Sequence, residues 1–152
     1  MFSAAHIHPM LVHFPIVFVL TLAVLDLVAT LRGKSVTGRS ALGNASTALA
    51  VLAALFAMAT LAFGDMALEI AESTGWSSET AEIHEHLGMA TTAILVVWAA
   101  IRLFAWLRNA HLPGWARAMV PVVEVGSAAV VLVTAYFGGE LVYNLGVNVA
   151  KM

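Results

Sequence analysis

An all-α fold, a bundle of four membrane-spanning helices packed antiparallel with both termini on one side, is what this sequence predicts. Three observations carry the expectation. Of 152 residues, 61% are hydrophobic and 11% charged, about half the charged share of a soluble domain. Four apolar runs, near residues 11–31, 41–63, 87–107 and 118–137, each supply the ~20 residues that cross a ~30 Å hydrocarbon layer. Two of the three connections are short, and short connections make consecutive helices antiparallel neighbours.

The first helix is expected over 9–31. It opens on His8-Pro9-Met10-Leu11-Val12-His13-Phe14-Pro15 and holds one ionisable residue in its interior, Asp26. Pro15 cannot donate to the Leu11 carbonyl, so the helix either kinks there or begins near His13. A basic, glycine-punctuated loop, 32–39, leads to the second helix, 40–64, whose small residues around 45–54 permit close helix approach. The middle connection, 65–86, is longer and acidic, and Ser77-Ser78-Glu79 is a good helix start. The third helix is expected over 79–108. A basic connection with Pro113-Gly114 follows, then the fourth helix, 117–138. Trp76 and Trp115 read as interfacial anchors. The expectation is one domain over 1–152, with no internal repeat.

Charge assigns the sides. Arg32, Lys34, Arg39, Arg102, Arg108 and Arg117 gather at or near one end, and only Lys151 falls at the other. The positive-inside bias makes the arginine-rich end cytoplasmic and places both termini and the acidic loop outside, in the periplasm of a bacterial inner-membrane protein. No cleavable leader is expected, since the first apolar run is already of spanning length. The absence of cysteine excludes disulfides and thiolate ligands. Basic residues are too few and too dispersed for a nucleic-acid partner.

At the outer end every helix contributes His, carboxylate or phenol. His13 and His86 lie closest to their apolar runs and are the expected axial ligands of a b-type haem between the first and third helices. His8 and His84 are the alternates. His84 and His86 are about 200° apart on a helix, so at most one faces the axis. Tyr143 or Glu140 would bond a propionate or a ligand N–H. The corresponding function is electron transfer, with quinol in the bilayer and a periplasmic redox protein as partners. A second expectation uses His8, His13, Asp65, His86 and Glu140 to hold zinc, copper or iron. A third is a structural subunit whose polar cluster docks a larger complex. Self-association stays open, and no catalytic residue can be assigned. Asp26 and Glu124, toward the cytoplasmic end, are expected to pair with Arg102 in a structural role.

The opening motif, Asp26, Gly64-Asp65, His86, the run Gly138-Gly139-Glu140-Leu141-Val142-Tyr143 and Gly146-Val147 together resemble the bacterial membrane family known as domain of unknown function 2231. The resemblance covers nearly the whole chain and implies a four-helix inner-membrane domain. It marks His8, His13, Asp65, His86 and Glu140. Some relatives look fused to Rieske iron–sulfur modules, which implies an electron-transfer setting. A tryptophan often follows the position matching Asp65, where this chain has Met66.

Overall fold

A computed structural model describes residues 3–147. The chain is all-helical: α1 (Ala4–Leu11), α2 (His13–Leu31), α3 (Ala41–Glu72), α4 (Glu79–Leu107) and α5 (Gly114–Tyr143). Val12, where α1 meets α2, keeps right-handed helical dihedrals. The two segments therefore run as one crossing element, broken where Pro15 withholds its hydrogen bond from Leu11. Four elements, 4–31 and α3 to α5, are long and apolar enough to span a membrane.

Each span packs on its chain neighbour, and α5 closes the ring against α2. The interior is built of small side chains: Ala50, Ala53, Ala54 and Ala57 of α3 meet Val19, Leu22 and Ala23 of α2, Leu95 and Ala99 of α4, and Ala128 and Val131 of α5. Large apolar residues such as Leu31, Val97, Ile101, Phe104 and Val122 face outward. Small inside and large outside suits lipid, where close backbone approach rather than water exclusion drives helix association. Ser40 and Ser78 cap α3 and α4 by accepting from the Gly43 and Thr80 N–H groups at 3.0 and 3.2 Å.

The spans are longer at the His-rich end than the sequence predicts. α1 begins at Ala4 rather than 9, α3 runs to Glu72 rather than 64, and α5 to Tyr143 rather than 138. Polar residues beyond the apolar runs stay helical because every fourth position still packs inward, as Ala67 and Ala71 do.

The expectation of no internal repeat is overturned. The first span recurs 76 positions later: Ile7-His8 returns as Ile83-His84, Leu11 as Leu87, Ala23 as Ala99 and Arg32 as Arg108. α3 recurs 74 positions later in α5, where Thr60-Leu61-Ala62-Phe63-Gly64 returns as Thr134-Ala135-Tyr136-Phe137-Gly138. The backbone repeats too. Gly33 and Asn109, equivalent under this shift, both take positive φ, 68° and 48°. Lys34 donates to Ala29 and Ala110 to Ala105, each at 2.9 Å, closing the two spans with the same cap. The bundle is thus two similar helix pairs whose corresponding helices run the same way, a parallel repeat.

Candidate functional site

A cavity of about 190 Å³ opens among all four spans toward the His-rich end. Its walls are chiefly apolar, including Ile16, Ala57, Leu61, Val131 and Leu141, with His8, His84 and four threonines as the main polar groups. His8 reaches it from α1 and His84 from α4. Their ring centres stand 6.2 Å apart with planes at 83°.

Both imidazoles are held alike. His8 Nδ1 lies 2.9 Å from the Thr60 carbonyl oxygen, and His84 Nδ1 lies 3.0 Å from that of Thr134. A carbonyl oxygen only accepts, so each Nδ1 carries the proton and each Nε2 keeps its lone pair. Each ring also rests on a glycine one turn further along. A Cβ at Gly64 would stand 2.9 Å from His8 Cε1, and one at Gly138 would stand 2.9 Å from His84 Cε1. The unit His, Thr carbonyl and Gly occurs once in each half, at equivalent positions.

The halves differ one step deeper. Thr91 exchanges a 2.8 Å hydrogen bond with the Thr134 hydroxyl. Pro15 stands at the position equivalent to Thr91, and the buried Thr60 hydroxyl has no partner.

The residues that the sequence put first sit elsewhere. His13 and His86 are exposed and do not line the cavity. Asp65 reaches the cavity wall but is largely exposed, Tyr143 is 87% exposed, and Glu140 Oε2 accepts from the Asn144 amide at 2.5 Å. The His N–H groups are met by backbone carbonyls, not by Tyr143 or Glu140. Among the described residues no group of three or more His or carboxylate side chains could hold a metal ion. The five-residue metal set is therefore not brought together. The threonines and glycines that position the imidazoles were missed. Their signal was the doubled Thr-x-x-Phe-Gly motif, lost without recognition of the repeat.

At the arginine-rich end Arg102 pairs with Asp26 at 3.0 Å and reaches Glu124 at 3.8 Å, all three buried. Both pairings expected from the sequence are present. Ser46 donates to Asp26 at 2.5 Å and Trp98 to Glu124 at 3.3 Å, while Arg102 donates to the Val36 carbonyl at 2.9 Å and to the Ser46 hydroxyl.

Four apolar spans in two similar halves, with paired imidazoles in an internal cavity at one end, define a polytopic helical membrane protein of duplicated design. A family model described as a predicted membrane protein, DUF2231, matches residues 4–151. The chain belongs to that family. No curated protein and no solved structure matches it.

Proposed function

We propose that the protein is a b-type haem electron carrier of the bacterial inner membrane, in which His8 and His84 would hold the haem iron. The observation that carries this reading is the adjacent pair of imidazoles in one apolar cavity, each fixed through Nδ1 with Nε2 left to ligate. A metal held by both imidazoles, at ~2.0–2.1 Å from each nitrogen and about 1 Å more to each ring centre, would need ring centres no more than roughly 6 Å apart. The rings stand edge to face with centres 6.2 Å apart, close to that limit. A backbone carbonyl on the other ring nitrogen is the usual way a protein orients such a ligand.

Haem also suits the repetition. A ligand on the axis between the halves meets the same donor from each side, which explains why His, Thr and Gly return unchanged where most positions have diverged. A small ion held by protein alone would need more than these two donors. The donor pair fits haem better than the volume does: 190 Å³ is less than the ~300–1,000 Å³ of sites that enclose drug-sized ligands. Haem would therefore extend beyond this cavity. Among the described residues no Lys or Arg lines it. Bound haem would supply one-electron chemistry; the chain supplies ligands, an apolar wall and orientation. Quinol in the bilayer and a periplasmic redox protein are the partners this reading implies, with the arginine-rich end cytoplasmic.

Detergent-purified protein tests the proposal. The expected result is a Soret band that sharpens on reduction, is lost in His8→Ala and His84→Ala, and survives in His13→Ala and His86→Ala. Colourless protein from haem-replete cells, or pigment that survives both of the first two substitutions, overturns it.

A further inference from the structure

At the opposite end, Asp26, Arg102 and Glu124 form a cluster that the paired imidazoles do not use. The three side chains are 0%, 3% and 1% exposed. Asp26 comes from α2, Arg102 from α4 and Glu124 from α5, with Ser46 of α3 completing the ring. Asp26 and Arg102 each lie 18 positions along their span from His8 and His84, a rise of ~27 Å. Asp26 and Arg102 occupy equivalent positions in the repeat, as do Ala50 and Glu124. Where the imidazole site kept identical residues, this one became charge-complementary and gained an extra carboxyl.

That extra carboxyl leaves the charges unequal: one guanidinium faces two carboxyl groups inside the membrane. The Asp26 and Glu124 carboxyls share the one Arg102 guanidinium, at 3.0 and 3.8 Å. Two carboxyl groups gathered on a single buried cation are not both ionised; one takes up a proton. Asp26 Oδ1, Arg102 Nη1 and Glu124 Oε2 have no hydrogen-bond partner. No further titratable side chain among the described residues bonds into the cluster; its remaining contacts are Ser46, Trp98 and the Val36 carbonyl.

We propose that Asp26 and Glu124 form a binding site for one exchangeable proton, carried on Glu124, in the membrane half nearer the arginine-rich end. Contact geometry selects the carrier. Asp26 has the short contact to Arg102 and the Ser46 hydroxyl, both of which stabilise an anion. Glu124 lies 3.8 Å from the guanidinium and accepts only the indole N–H. Loading transfers one H⁺ from water to the Glu124 carboxylate and needs no other reactant. Charge on the cluster then falls from net −1 to neutral, the state a hydrocarbon surrounding favours.

Infrared difference spectroscopy on the intact protein in lipid tests this apart from any haem. In neutral buffer the expected spectrum has a protonated-carboxyl C=O band that shifts in D₂O. Glu124→Gln, a neutral near-isostere of the loaded state, should stay folded and lose the band completely. Asp26→Asn leaves Glu124 as the counter-ion of Arg102 and should also lose the band, while ¹³C-labelling of glutamate carboxyls, and not of aspartate carboxyls, should shift the wild-type band. A wild-type spectrum without the band, a band insensitive to D₂O, or a band that Glu124→Gln leaves intact overturns the proposal. So does a band that Asp26→Asn leaves intact, or one that shifts on ¹³C-labelling of aspartate, which would put the proton on Asp26.

Discussion

Gly64 and Gly138 show how much the imidazole site depends on what is missing from a side chain. Each lies in a helix interior, where replacement by Ala ordinarily gains about 1 kcal/mol of helix propensity. Here the added methyl would meet His8 or His84 at 2.9 Å, closer than carbon atoms rest. The ring must swing away and surrender its bond to Thr60 or Thr134. Gly64→Ala and Gly138→Ala are therefore expected to keep the fold but lower haem occupancy at least several-fold with both histidines present, and to similar extents in the two halves. The Soret-to-protein absorbance ratio measures this. Full occupancy in both variants would mean the rings need no glycine floor. Of this site the sequence offered His8 and His84, but only as alternates. Depth favoured His13 and His86, but helical phase turned them outward. His8 and His84 face inward because α1 and α4 begin earlier than the apolar runs suggest.

At the scale of a helix, the apolar run announced where α3 begins and Ser77-Ser78-Glu79 where α4 does, and the pairing of Asp26 with Arg102 followed from depth alone. What could not be read was how far the spans continue past the bilayer edge, because polar helix and polar loop share a composition there. The energetics of the Asp26–Arg102 bridge between α2 and α4 are testable. Removing one member of a buried ion pair strands its partner and costs ~3–5 kcal/mol, whereas removing both can be nearly neutral. Arg102→Met is expected to destabilise the bundle by about that amount, since two carboxyl groups lose their only cation. Adding Asp26→Asn should return part of the loss. Unfolding of the single and double variants in detergent, read as a double-mutant cycle, gives the coupling; strictly additive effects would show that the two groups do not depend on each other.

Across the whole molecule the duplication stayed hidden for a physical reason. Lipid-facing positions accept almost any large apolar residue, so most of them drifted apart, although Leu27 and Leu31 return as Leu103 and Leu107. Identity survived at small interior positions such as Ala23 with Ala99, at caps, and around the imidazoles. The unequal shifts of 76 and 74 blur it further. Duplication also fixes a topological consequence: corresponding helices of the halves run the same way, so His8 and His84 open toward one side of the membrane together. Which side depends on the arginines. Six of seven Lys and Arg lie toward one end, an asymmetry that orients short-looped membrane proteins with that end inside. The chain has no cysteine, so single-cysteine labelling has no background. A membrane-impermeant maleimide should label Ser77→Cys on intact cells and Lys34→Cys only after lysis. The reverse pattern would turn the imidazole cavity toward the cytoplasm, and a redox partner would then have to be sought there.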